Sequence, residues 1–447
     1  MEMPEYPRLR EGVQIMPFDT CTVNPLSLVQ LPNGKSLQVS REMRDILHLL
    51  DGHHSLSDLA HQLTRKWGHI VSEPSVVRII KEKIAPFGVL AGDSGQALPV
   101  KPDQPSRSSL ALRLKIPLLS EKSLRPFTAL GQVLFTKPLP VMWVILALIL
   151  RIPAYMHLGE LFPSFRAAAT YGREAILTLF LFLVGTLIHE LGHLSACRRY
   201  GVRHGKLGCG IYLIYPILYV DVSDSWRLPR WQRVMVDVGG MYFDLVFSTL
   251  LCAAFLITRQ PAFLFTTVAI DLSFISNLNP MFKWDGYWIL SDAMGIPNLH
   301  ARAGELWKRL LSRSRRRSSQ VLLDIQPRIK AALWIYATAT SIYFLYVIFL
   351  LGRLAPWVLR QYPELAISVF RQVRQSLASH AFLEALQHLG QLLFPTLVLI
   401  GLAFLIRGLI TPLARRIRNR IQPPVEGRSS KESMVVSAQA KRIEVKP

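Results

Sequence analysis

"LFLFLVGTLIHELGHLSACRRYG", residues 179–201, begins as an oily segment fit for a lipid bilayer and ends in a basic cluster. Between the two stand His189, Glu190 and His193. An ionisable side chain within or near a span costs roughly 2.5–3.5 kcal/mol on insertion scales, so such groups usually mark a functional site. On a helix, residues i and i+4 share a face one turn apart, which brings both imidazoles within reach of one metal ion. Two histidines at this spacing, with a glutamate beside one of them, form a zinc-hydrolase motif. The glutamate is free to take a proton from water that the metal has acidified. The plainer alternative is a pair of interfacial histidines with a glutamate reaching for water.

Half of the 447 residues are apolar, and the mean hydropathy is +0.27. They cluster in runs such as "LPVMWVILALILRIPAYM", "LWIYATATSIYFLYVIFLLG" and "LFPTLVLIGLAFLIRGLI". A hydrocarbon core of about 30 Å needs roughly 20 helical residues, and these runs approach that length. The pattern predicts a mostly α-helical, polytopic membrane protein. Six transmembrane helices are expected, at 139–157, 175–196, 234–257, 261–280, 332–351 and 393–410.

The formal net charge of +22 first suggests a nucleic-acid partner. Its location argues otherwise. Residues 1–100 hold ten Lys/Arg against eleven Asp/Glu, and the excess lies beside apolar runs, as in "CRRYGVRHGK", "KRLLSRSRRR" and "RGLITPLARRIRNR". Basic residues at span ends mark cytoplasmic loops facing anionic lipid. With the amino terminus inside, the clusters at 198–206, 227–233, 302–330 and 414–419 all fall on the cytoplasmic side. Arg166, Arg173, Arg259 and Arg353 fall outside. Both termini are therefore expected in the cytoplasm, and no nucleic acid is expected as a partner. No apolar h-region opens the chain, so the first hundred residues are expected to stay where they are made. Cys21, Cys197, Cys209 and Cys252 show neither CxxC spacing nor a disulfide framework.

Residues 12–92 read as a small α+β domain. "LSLVQLP" and "KSLQVS" are strand-like and flank the turn "PNG". Helical spacing follows at Met43, Ile46, Leu47 and Leu50, then a "DG" break. Ser57 is placed as the cap of a second helix carrying Leu59, Ala60 and Leu63, and Ser72 as the cap of a third. A strand pair followed by three short helices is a winged-helix type of pattern. "AGDSGQALPVKPDQPSRSS" then opens a linker over 93–138. Beyond it are expected a membrane-embedded core at 139–351, a carboxy-terminal membrane region at 352–412 and a basic, disordered tail at 413–447. Within that region, 354–391 reads equally as an external amphipathic helix or a lipid-lying one.

Two histidines leave zinc short of protein ligands, since catalytic sites commonly use three plus water. The best further candidate is Asp285 in "SNLNPMFKWDGYWILSD", where Pro280 and Gly286 let the chain leave helical geometry beside the membrane. A turn-forming Asp-Gly is the other reading. Asp221 and Asp224 are rival ligands, although "SDSW" looks like a cap before a helix at 227–233. Asp237, Asp244 and Asp271 fall in apolar spans, where they either line a water route or pair with span-end arginines. His53, His54 and His61 read as surface histidines.

"HELGH" in one span and "NLNPMFKWDG" after a later one resemble the site-2 protease family of intramembrane zinc metalloproteases. That family pairs HExxH with Asn-x-x-Pro-x-x-x-x-Asp-Gly, a spacing held here by Asn277, Pro280, Asp285 and Gly286. The resemblance implies one zinc ion held by His189, His193 and Asp285, with Glu190 as general base. It also implies that Asn277, with Pro280 in the same motif, helps to seat an extended substrate. Trp284 stands where the family usually has Leu, which bears on pocket shape. The run "NLNPMFKWDGYWILSDAMGIPNL", with "YPILYVDVSDSWRL" upstream, is similar to a bacterial subgroup of peptide zinc metalloproteases over roughly residues 139–310. "LHLLDGHHSLSDLAHQL" gives residues 12–92 a resemblance to PqqD-like domains, which bind leader peptides of ribosomally made, modified peptides.

The expected activity is hydrolysis of a peptide bond in a membrane-associated or ribosomally made precursor peptide, near the cytoplasmic face of a bacterial cell membrane. Substrate is expected to enter as an extended strand along the apolar hairpin at 207–222. Two rivals are a non-catalytic peptide-export or immunity component with a structural zinc, and a DNA-binding sensor. The first leaves Glu190 without a task, and the second lacks a basic face in residues 1–100.

Overall fold

The amino-terminal unit opens on a three-stranded sheet. The computed structural model describes residues 4–23, 25–32, 36–91, 113–159, 173–212, 215–311, 325–379, 381–392, 395–396, 398–403 and 406–407. β2 (Ser27–Gln30) and β3 (Ser36–Val39) pair antiparallel as the sequence predicts. A third strand, β1 (Gln14–Pro17), adds to the far side of β2. Four residues ending in proline gave no strand signal, and β1 owes its conformation to its neighbour.

Helix α1 (Arg41–Leu49) starts at Ser40, whose Oγ accepts from the Met43 amide at 3.3 Å. Helix α2 (Leu56–Trp67) is capped by Ser55 and not by Ser57. Ser55 Oγ accepts from the Asp58 amide at 3.2 Å while Asp58 Oδ2 accepts from the Ser55 amide at 3.2 Å. This reciprocal box needs an acid three residues after the cap, which Ser55 has and Ser57 lacks. Helix α3 (Glu73–Ile79) follows Ser72 and runs on as a wider turn through Ile84. Val29, Leu37, Ile46, Leu59, Leu63, Val76 and Ile80 close a common core.

Between α1 and α2 the "DG" break turns at Gly52, whose φ of +84° favours glycine. Asp51 accepts from the His53 amide at 2.8 Å and faces His54 Nδ1 at 2.9 Å. Chiefly through that His53 hydrogen bond, its carboxyl is lowered to about 2. His53 and His61 are exposed and His54 half-exposed, as expected.

The expected linker at 93–138 is structured over its second half. Strand β4 (Arg113–Leu119) leads to helix α4 (Glu121–Gly131), which is capped by Ser120. β4 pairs antiparallel with β5 (Leu207–Tyr212), and β5 with β6 (Tyr215–Val220), in the order β4-β5-β6. Leu124 of α4 is buried in a cluster with Leu194, Leu207 and Val220. "RLKIPLL" holds two basic residues and a proline. Pairing with β5, not intrinsic propensity, makes it a strand.

Among the described residues, four helices are long and apolar enough to cross a membrane: α5 (Leu139–Met156), α6 (Arg173–Arg199), α7 (Arg230–Thr258) and α11 (Pro327–Ala378). They correspond to four of the six expected spans. A fifth, α8 (Pro261–Asn277), is apolar but shorter. The sixth candidate, 393–410, lies partly outside the described residues, and the tail at 413–447 wholly so. In its most apolar window α7 is 56% buried, against 11% for the other three, so α7 is the central post. It packs against α5, α6, α8 and the short helix α9 (Asp285–Met294), which α10 (Leu299–Leu311) follows.

Residues 354–391 read from sequence as an external amphipathic helix or a lipid-lying one. Here α11 continues through Pro356 and Pro363 to Ala378, and α12 (Phe382–Gly390) then turns back. The returning chain lies beside α11, with Tyr362 Oη 3.0 Å from Thr396 Oγ1.

Candidate metal centre

Helix α6 carries its polar residues at its basic end, after a long apolar run. His189 and His193 are buried there, and their ring centroids lie 4.9 Å apart. Small residues let α7 approach this face. A Cβ on Gly192 would meet the Gly239 carbonyl, and one on Gly239 would come within 2.7 Å of the Gly192 carbonyl. A Cβ on Gly240 would sit 2.6 Å from His189 Nε2 and closer still to His193 Nε2, filling the space between the imidazoles.

The same helix fixes how the rings face. His189 Nδ1 lies 2.7 Å from Asp244 Oδ2, and His193 Nδ1 lies 2.8 Å from the Val236 carbonyl. Both partners can only accept from a ring N–H, so the Nδ1 atoms carry the protons and the Nε2 atoms present lone pairs. Asp244, expected to line a water route or to pair with an arginine, lies against His189. Its signal in the sequence was the acid in an apolar span, but the partner is set by packing.

The third group arrives from α9. The chain leaves α8 at Asn277, turns through Pro280 and re-enters a helix at Asp285. A Cβ on Gly286 would strike the Leu278 carbonyl and lie 2.7 Å from that of Asn277, so glycine is what lets α9 start here. Asp285 Oδ2 is 3.0 Å from His189 Nε2, and Asp285 Oδ1 is 3.6 Å from His193 Nε2.

These three donor sets lie within 4.8 Å of one another. The two Nε2 atoms are 3.2 Å apart. Two lone pairs and a carboxylate facing each other at this distance repel unless a cation lies among them. Tetrahedral zinc with bonds of about 2.0–2.1 Å spaces its nitrogens by about 3.3 Å, so the set fits zinc.

Glu190 is half-buried, next to His189 in α6. Asn277 and Pro280 are half-buried outside the cluster, and the Pro280 carbonyl accepts from Tyr336 Oη of α11 at 3.1 Å.

The rival ligands stand elsewhere. Asp221 Oδ1 accepts from the Ser223 amide at 3.0 Å. Asp224 accepts from Gln30 Nε2 and from the Arg203 amide, each at 2.9 Å, and so does not cap the following helix. That helix begins at Arg230, not 227, after a 3-10 turn over Ser223–Arg227. Asp271 pairs with Arg151 through two contacts of 2.8 Å and takes a hydrogen bond from Tyr155, which ties α5 to α8. Asp237 is buried on α7.

Over 138 residues, 30% of this chain, the sequence is 24% identical to the Bacillus subtilis (strain 168) protein named "Putative peptide zinc metalloprotease protein YydH". The match covers 55% of that protein's length, so the chain spans about half of the curated relative. No protein-family profile and no solved structure matches the chain. The likeness loosely supports a zinc metalloprotease.

Proposed function

We propose that this chain is an intramembrane zinc metalloendopeptidase of the site-2 protease type, acting on a membrane-associated or ribosomally made precursor peptide. The observation that carries the reading is the convergence of His189 Nε2, His193 Nε2 and the Asp285 carboxylate beside Glu190. Zinc, when bound there, supplies Lewis acidity and lowers the pKa of water to about 7. Asp244 and the Val236 carbonyl hold the imidazoles in the tautomer that leaves Nε2 free. Glu190 takes the proton from the attacking water and returns it to the leaving amine. Asn277 and Pro280, at the turn before Asp285, seat the extended peptide. β4 occupies one side of β5, so an incoming strand has the outer edge of β6 to pair with. Residues 12–92 act as a PqqD-like, winged-helix-type module for a leader peptide, with β1 as its second sheet edge.

The basic end of α6 supports cleavage near the cytoplasmic face. In this reading six spans cross the bilayer and both termini are cytoplasmic. A reporter fused at Arg203 is expected to show cytoplasmic signal only. External activity there would refute this topology.

The direct test is cleavage of a leader-bearing or membrane-bound peptide by the full chain in lipid. Cleavage should vanish on chelation and return with added zinc. Activity that persists in a chelated, zinc-free sample would remove the metalloprotease reading.

A further inference from the structure

Arg233 is only 1% exposed, among the largest fully buried side chains described. It sits in the first turns of α7 and joins three parts of the molecule. Nε donates to Asp292 Oδ1 of α9 at 2.9 Å, and Nη1 donates to the Leu228 carbonyl at 3.0 Å. Nη2 donates to the Asp19 carbonyl of the amino-terminal unit at 2.8 Å, and the guanidinium carbon lies 4.6 Å from the Phe18 ring centre.

Neighbouring contacts make the junction firm. The Arg230 amide donates to Asp19 Oδ2 at 2.9 Å, and the Cys21 amide donates to the Gly295 carbonyl at 3.1 Å. A Cβ on Gly295 would come within 2.6 Å of the Cys21 nitrogen, so the approach requires glycine.

This junction is close to the metal centre along both helices. Val236, whose carbonyl orients His193, is three residues past Arg233, about 4.5 Å along the axis. Asp285 is seven residues before Asp292, about 10 Å, or two turns, on the same face of α9. The α7–α9 spacing decides whether Asp285 reaches the histidines of α6. Arg233 and the Phe18–Cys21 segment bridge the ends of those two helices.

We propose that the docked amino-terminal unit is part of the metal centre's geometry, with Arg233 the positioning residue that holds α7 and α9 at the separation where Asp285 meets His189 and His193. The proposal rests on the zinc reading above. It makes zinc affinity sensitive to whatever shifts that unit, including a peptide bound on it, and linkage makes the effect reciprocal.

The test uses the full chain in lipid, reading zinc affinity by chelator competition and the visible spectrum of the cobalt(II)-substituted protein. Two variants loosen the junction: Phe18→Ala, and the double variant Arg233→Leu with Asp292→Leu. The second exchanges a buried ion pair for apolar side chains, a change folds generally tolerate. Both should retain helical content, yet bind zinc about tenfold more weakly, the low end of what losing a direct partner of a metal ligand costs. Their cobalt bands should also shift. Arg151→Leu with Asp271→Leu removes a comparable ion pair between α5 and α8 and should leave affinity and bands unchanged. Wild-type affinity and bands in both junction variants would overturn the coupling and leave the zinc reading intact. An equal loss in the Arg151 control would overturn it too, because the effect would then be general loosening. A wild-type chain that takes up no zinc would overturn both.

Discussion

Glu190→Gln is expected to retain zinc and lose turnover. The amide keeps the size and hydrogen-bonding capacity of the carboxylate but cannot accept a proton. General acid–base contributions are typically about 10²–10⁴-fold, and loss of metal-assisted activation of water would deepen the fall. Folding should survive, since an amide costs less to bury than a charged carboxylate. The residue sits between His189 and His193 in α6, in a setting where charge is expensive, and proton handling is a task that justifies it. Wild type and variant should be compared on the same peptide in lipid, with zinc content measured in both. Equal turnover would sink the protease reading and favour a non-catalytic export or immunity role. Loss of zinc together with turnover would show that Glu190 supports the metal and not the proton transfer.

Asp285→Ala should empty the site. Removing an outer partner of a metal-bound histidine typically costs 10–100-fold in affinity, so removing a direct ligand should cost at least about 100-fold. It also leaves two protein donors, His189 Nε2 and His193 Nε2, where catalytic zinc commonly uses three. Asp221→Ala is the matched control, since Asp221 spends its Oδ1 on the Ser223 amide. Zinc per chain after dialysis reads both. Full zinc in Asp285→Ala with loss in Asp221→Ala would reassign the third ligand.

How much of this could be read without the structure depends on the range of each interaction. His189 and His193 face one way because helix periodicity alone puts i and i+4 together. Asp285 stood out because Pro280 and Gly286 break the helix around it, and the structure brings it within 3.0 Å of His189. Asp244 and Arg233 were another matter. Each is visible as a charged residue, yet its partner is 55 or 59 residues away, at His189 or Asp292. No local pattern encodes such a pairing. The strands β1 and β4 escape a local reading for a related reason, since both contain proline and depend on a neighbouring strand. The Ser55 cap, by contrast, was legible from Asp58 three residues on, and placing it at Ser57 misjudged a local signal.

Helix α11 has a consequence of scale. Its 52 residues extend about 78 Å at 1.5 Å per residue. Even leaning by about 40°, the steep end of the usual range, it would rise about 60 Å against a hydrocarbon layer of about 30 Å. In a bilayer, roughly half of its height would therefore stand clear of the lipid like a mast. The returning chain stays alongside as far out as Tyr362 and Thr396, so what projects is a braced pair and not a lone rod.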